Sequence, residues 1–380
     1  MRHLLAGFTA SGTYRSIPME QLKSTPLSSH HRTLGALMAP FGGWDMPIQY
    51  EGIIAEHRAC RQQTALFDIC HMGEFIFSGD IVSAGLEEVF TFSVATIPIG
   101  RSRYGFLLNG SGCIIDDLIV FRLAEDKVMI VVNAATADND FAVIKSRLRG
   151  GELENVTAAT GKLDLQGPLA REVMGRFFES AVCNLPYFKF TTAKVLGFEA
   201  IVSRTGYTGE LGYEIFIPQE KIPELWELIL ADDRVKPAGL GSRDLLRLEV
   251  GYSLYGSDLS EEITPLEAGL ESFVNFDKSF IGKDALLKQQ AAGLKRVKAS
   301  FRVSSRRSPR HDYTIMNGSD AVGVVTSGAF SPMLGCGIGI GFVPPQFAAL
   351  GTPFTICHDR VSMEAEVCQL PFYKGGSLRS

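Results

Sequence analysis

Missing from this 380-residue chain is any apolar run near the ~18 residues that a membrane-spanning helix needs. A cationic excess is missing too. The formal net charge is −5, so there is no overall field to hold nucleic acid. The seven cysteines, at 60, 70, 113, 183, 336, 357 and 368, form no C-x-x-C pair, which argues against a zinc ribbon, and no metal site is expected. Their odd number in a long chain suits a reducing compartment, with most of them acting as small buried hydrophobes. No internal repeat or low-complexity tract interrupts the chain, and no acid precedes Glu20. Residues 1–18, Arg-containing and hydroxyl-rich, read as a transit peptide, a disordered tail, or an over-extended start ahead of Met19.

What is present is an ordinary apolar fraction, enough for a full core in roughly two to three domains. Up to about residue 290, strands and helices mix without the regular alternation of a doubly wound sheet, so the pattern predicts α+β. Residues 34–50 are rich in Gly, Pro and aromatics and predict turns with close backbone packing. Helical spacing predicts helices over 79–90, 138–148, 222–230 and 283–290, and 128–132 predicts a strand. From about Lys295, short β-like runs recur (VKASFRV, AVGVVTSG, GIGIGFV, FTICHD, SMEAEVCQLPF) and predict an all-β terminal domain, a barrel or a sandwich. Within it, GCGIGIG has glycine at every second position. That departs from G-x-G-x-x-G and predicts a strand with one bare face against another backbone.

Four stretches carry polar residues where chemistry is possible. Residues 114–121 read IIDDLIVF, a strand by composition with two adjacent carboxylates. A strand sends neighbours to opposite faces, so one of Asp116 and Asp117 can point inward, where a carboxylate needs a partner or a task. Residues 203–218 (SRTGYTGELGYEIFIP) hold Tyr207 among Gly206, Gly209 and Gly212, ahead of a strand containing Glu214. The glycines permit close approach of a ligand to the Tyr207 ring and hydroxyl, or they build a turn around an aromatic plug. Residues 239–250 (GLGSRDLLRLEV) predict a helix with Arg243 in its first turn. An arginine is a poor match to the positive end of a helix, so it either binds a ligand or pairs with a carboxylate, while Asp244 suits capping. His71, lacking any Ser or Cys nucleophile motif to complete a triad, reads as a packed side chain.

These segments, together with HRTLGALMAPFGGWDMPIQY, LFDICHMGEF, RYGFLLNGSGCIIDDLIVF, VVNAA, LQGPLA, ITPLEAGL, FIGKDAL and GVVTSGAFSPMLGCGIG, occur in one order over residues 25–373. In that order they closely resemble the aminomethyltransferase, or T-protein, family of the glycine cleavage system. Small departures are Cys70 where the family often has Ser, Asp164 within the usual A-L-Q-G-P stretch, and Phe121 where Tyr is common; the tail after Tyr373 does not align.

The resemblance implies a three-domain cloverleaf. A flexible tail would cover 1–24, two interleaved α+β domains 25–290, and a barrel-like domain 291–380. It implies transfer of the methylene of an aminomethyl group, carried on the lipoyl arm of the glycine cleavage H-protein, to the co-substrate tetrahydrofolate. Ammonia, dihydrolipoyl carrier and 5,10-methylenetetrahydrofolate would be released. By the same resemblance Asp117 is the catalytic residue, facing the pocket and stabilising positive charge at the moving carbon, ordering the pterin or moving a proton, while Asp116 serves the outside of the strand or its turn. Glu214 would take the pterin's adjacent N–H groups. Arg243 would meet a pterin oxygen or hold Glu214, and Tyr207, Met72, Ile76, Tyr104 and Asn133 would wall the folate pocket. No nucleic-acid or membrane partner is implied. The location implied is the bacterial cytoplasm, or the mitochondrial matrix if the N-terminal segment is a transit peptide. Two rival readings are a folate-dependent demethylase or methyltransferase of the same fold and a non-enzymatic folate-binding accessory protein for iron–sulfur clusters. The second would carry K-G-C-Y-x-G-Q-E where this chain has RTGYTGELGYE.

Overall fold

The structure, a computed structural model, describes residues 21–378. The transit-peptide reading of residues 1–18, and most of the tail expected over 1–24, lie outside them. Lys23–Ser24 already pairs in parallel with Trp44 and Asp45 at the edge of a small three-stranded sheet.

Two larger sheets are threaded through one another. The first has six strands in the order Phe190–Val195, Phe198–Ser203, Gly212–Pro218, Thr160–Gln166, Thr64–Asp68 and Val235–Pro237. The second, wholly antiparallel, has five: Ser102–Leu108, Ile114–Ala124, Lys127–Val132, Gly73–Ser78 and Glu152–Asn155. Every strand of the second falls, in sequence, between Thr64–Asp68 and Thr160–Gln166, which are hydrogen-bonded neighbours in the first. This is the interleaving expected of the first two domains.

Each sheet buries an outer face under helices. On the first sheet, Leu163, Leu165, Tyr213, Ile215 and Ile217 pack with Leu225, Trp226 and Ile229 of the helix Ile222–Leu230. On the second, Leu118, Val120, Ile130 and Val132 pack with Phe141 and Ile144 of the helix Ala137–Arg147. Each fully buried large side chain in these layers contributes about 1.5–3 kcal/mol. The inner faces meet at Phe121 and Phe216, whose rings sit edge to face at 5.5 Å, with Met129, Val131, Ile76 and Met72 around them.

The terminal domain is a closed six-stranded barrel: Val297–Val303, Cys336–Val343, Asp320–Ser331, Thr314–Asn317, Pro353–His358 and Val361–Val367. Closure removes sheet edges and decides for a barrel over a sandwich. The short strand Thr314–Asn317 (TIMN) escaped sequence reading, because four residues carry too little alternation to register. The bare face of GCGIGIG is used as expected: a side chain at Gly337 would come within 2.1 Å of the Arg307 carbonyl oxygen.

Other helical expectations need correction or refinement. Over 79–90 only Leu86–Val89 is helical. Gly85, at φ 80°, interrupts the helix, and Val82, read as part of its apolar stripe, is 60% exposed. Residues 34–50 contain a hairpin, Leu37–Phe41 with Trp44–Gln49, rather than turns alone. The helices Ala137–Arg147, Ile222–Leu230 and Lys283–Ala292 stand where spacing predicts them.

Candidate active site

The strand Ile114–Ala124 answers the question its two carboxylates raise. One extra residue at Ile115 forms a bulge opposite Leu107 and Leu108. Beyond it, Asp116, Leu118 and Val120 share the outer, helix-covered face, while Asp117, Ile119 and Phe121 share the inner face. Asp117 is half-buried. Its Oδ2 accepts from the Tyr104 hydroxyl at 3.0 Å and its Oδ1 from Asn133 Nδ2 at 2.9 Å. Burial, then the Asp116 charge, push its pKa up to about 7.

Asp116 does point to the outer face of the strand, but that face is not open to water. Asp116 is fully buried, because the helix Ala137–Arg147 covers that face. Its carboxylate accepts from the Asn133 backbone N–H at 3.0 Å and from Asn133 Nδ2 at 2.8 Å. Asp140, on that helix and also buried, lies against it. Burial, then the Asp116 charge, raise Asp140 to about 11, so it stands as a neutral acid beside Asp116.

The facing sheet supplies Glu214, on the same side of its strand as Phe216. It is 4% exposed. Its Oε1 lies 3.3 Å from Lys162 Nζ and its Oε2 accepts from the Thr205 hydroxyl. Burial alone would raise its pKa, but Lys162, Thr205 and Arg243 outweigh that and hold it below the usual carboxylate value. Glu214 is therefore an anion. Each oxygen keeps a lone pair for another donor.

Arg243 does not hold Glu214. Its Nη1 donates to Asp164, which lies directly across the sheet from Glu214 in register. Its guanidinium lies 5.2 Å from the Tyr207 ring centroid and 5.8 Å from that of Phe67. The Tyr207 hydroxyl donates to the Ser253 carbonyl, its ring stacks on Tyr252 at 5.8 Å, and the Asp117 charge bears on it. Met72 takes the Lys162 ammonium against its sulfur at 3.5 Å, and Ile76 packs in the inner apolar layer. Of the eight residues singled out in the sequence, Tyr104 and Asn133 hydrogen-bond to Asp117, Met72 and Ile76 pack in the inner apolar layer, Glu214 shares its strand face with Phe216, and Arg243 lies against the Tyr207 ring.

Of the two readings of the glycines of 203–212, the packing supports a tight turn. A side chain at Gly206 or Gly212 would come within 2.1 or 2.0 Å of Gln166 Nε2, so the loop wraps a buried glutamine rather than giving a ligand close backbone approach. Gln166 in turn donates to Asp164 at 2.6 Å and to the Thr205 carbonyl at 3.0 Å. Asp244 makes no cap and pairs with Arg247. His71 is packed, edge-on to Phe41 at 5.6 Å. Burial lowers its pKa to about 4 and keeps it neutral. Of the seven cysteines only Cys60, Cys70 and Cys183 are buried, fewer than expected.

Sequence reading missed Lys162, and it saw Asp164 only as a departure. The signal was there. In the strand Thr160–Gln166 the residues Lys162, Asp164 and Gln166 alternate with Leu163 and Leu165, a polar stripe of period two on a strand whose other face is core.

With this geometry in hand, comparison with known proteins is direct. Residues 27–278 match the GCVT N-terminal domain and residues 296–374 the glycine cleavage T-protein C-terminal barrel domain. The chain is 43% identical over 356 residues to an aminomethyltransferase of Halothermothrix orenii, covering 92% of this chain and 100% of that protein. It is 39% identical over 360 residues to an aminomethyltransferase of Listeria monocytogenes, covering 94% and 99%. The crystal structure of glycine cleavage system aminomethyltransferase T from Bartonella henselae superposes with a TM-score of 0.88 at 33% identity, covering 94% of this chain and 99% of that one. Neither rival reading is favoured by these relatives, and no described helix is long and apolar enough to cross a membrane. The chain belongs to the aminomethyltransferase, or glycine cleavage T-protein, family.

Proposed function

We propose that this aminomethyltransferase of the glycine cleavage system receives its aminomethyl group on the lipoyl arm of the H-protein and passes the methylene to tetrahydrofolate. One observation carries the folate assignment. A buried anion, Glu214, and a half-buried carboxylate, Asp117, face the same inner layer from two different sheets, which meet at Phe121 and Phe216. A pterin presents an N–H and an amino group side by side, and one carboxylate accepts from both as a charge-assisted pair. Glu214 has the charge and the lone pairs for this. Tyr207, Met72 and Ile76 offer apolar surface for a flat ring, and Arg243, anchored by Asp164, offers N–H donors to its oxygen.

Folate supplies two nitrogens that take the methylene, their protons leaving on the lipoyl sulfur and on the ammonia. The protein's part is to bind, orient and balance charge. Asp117, steered by Tyr104 and Asn133, offers negative charge beside the moving carbon or accepts a proton there. Unpaired thiols at all seven cysteines support a reducing compartment, a bacterial cytoplasm or a mitochondrial matrix. The test is an assay for 5,10-methylenetetrahydrofolate with aminomethyl-loaded carrier, tetrahydrofolate and this chain. Product and ammonia should form in equal amounts, and absence of product with a carrier shown to be loaded would overturn the reading.

A further inference from the structure

Met72, Glu74 and Ile76 project to one side of the same stretch of chain, and Met72 and Ile76, two residues before and after Glu74, belong to the inner layer between the sheets. Glu74 is 1% exposed, and neither of its carboxyl oxygens has a hydrogen-bond partner. Its backbone is fully engaged: the N–H donates to Thr157 Oγ1 at 3.0 Å and the carbonyl accepts from Val156 N at 2.9 Å. The side chain alone is unsatisfied, in a strand otherwise well paired. A buried carboxyl without a partner costs about 1–3 kcal/mol, so its retention in the interior points to a ligand.

The charged groups that bear on Glu74 are Lys162, from the strand Thr160–Gln166, and Glu214, from Gly212–Pro218. Lys162 is already paired with Glu214, and Arg243 with Asp164. Among the described residues Lys162 is thus the cation that bears on Glu74, and it is shared with Glu214. We infer that Glu74 is a further binding residue of this site, its neutral carboxyl group donating a hydrogen bond to the carbonyl oxygen of a bound pterin, beside the anionic Glu214 that takes the neighbouring N–H groups. Two glutamates side by side thus read a donor edge and an acceptor atom, one as the anion and one as the acid. Burial, with Glu214 adding to it and Lys162 opposing it, pushes the Glu74 pKa up to about 8, which keeps the acid form at neutral pH.

This inference rests on the folate reading of the site and has a test that separates the two. Tetrahydrofolate is titrated into the full chain from pH 6 to pH 9, with Glu74→Gln, Glu74→Leu and wild type compared, and thermal unfolding is followed for each. Glu74→Gln keeps a neutral donor, so it should bind within about threefold of wild type near pH 7. Glu74→Leu should bind about tenfold or more weakly while unfolding at an equal or higher temperature, since an unpaired buried polar group has gone. Wild-type affinity should fall above about pH 8, as the acid ionises, and the Glu74→Gln curve should stay flatter. Folate binding that Glu74→Leu leaves intact, or wild-type and Glu74→Gln curves that fall together, would overturn the role of Glu74 alone. No folate binding by wild type would overturn the folate reading and this inference with it.

Discussion

Asp116 and Asp117 are adjacent in sequence, stand on opposite faces of one strand, and are tied to the same amide, Asn133 Nδ2, at 2.8 and 2.9 Å. Asp117→Asn should keep the fold and much of the folate affinity while lowering turnover by roughly a hundredfold or more, the scale of one lost electrostatic or proton-transfer group. Asp116→Asn puts an amide against Asn133 and Asp140, so it should cost about 1–3 kcal/mol of stability, with turnover falling much less. Turnover numbers and unfolding midpoints for both variants check this. Equal losses of turnover at unchanged stability would overturn it.

Turnover should depend on pH through Asp117. Its pKa is raised to about 7 by burial and by Asp116, so the acid form dominates below that pH and the anion above it. If the anion supports the positive charge at the moving carbon, kcat/KM rises between about pH 6 and pH 8. The Asp117→Asn profile should be flat over the same range. A wild-type profile that falls there instead would make the neutral acid the active form.

Glu214→Gln keeps the shape but exchanges an acceptor oxygen for a donor that faces the pterin's own donors. It also leaves Lys162 with a weaker partner. Folate affinity should fall roughly 10- to 100-fold by titration, from one lost charged hydrogen bond and one unpaired group. Unchanged affinity would make Glu214 a structural partner of Lys162 only.

The stretch 295–311 (KRVKASFRVSSRRSPRH) is the densest basic run in the chain, and Arg306, Arg307 and Arg310 are exposed. A solvated face is the plain reading. A protein-borne substrate gives the charges a use, because an acidic carrier would be steered toward them. Reversal of Arg306 and Arg307 to Glu should slow turnover with intact carrier, and added salt should shrink the difference. Turnover with a small free lipoamide adduct should hold. Equal slowing with both substrates would place the defect in the fold or the site.

The order of motifs along the chain was enough to read the family and the interleaving it implies, and residue patterning alone read the α+β class and the terminal all-β domain. Strand alternation was enough to send Asp116 and Asp117 to opposite faces, because side-chain direction in a strand is set by the local backbone. Partners were another matter. Arg243 meets Asp164, 79 residues away, rather than Glu214, and Lys162 takes Glu214 instead. Those choices depend on the register between Thr160–Gln166 and Gly212–Pro218, which sets Asp164 opposite Glu214, and on the helix Leu240–Glu249 arriving above them. Asp116 became interior only because the helix Ala137–Arg147 covers its face. The chain's local pattern determined which way each side chain points. Long-range packing decided what it meets, and so which carboxylate is an anion and which an acid.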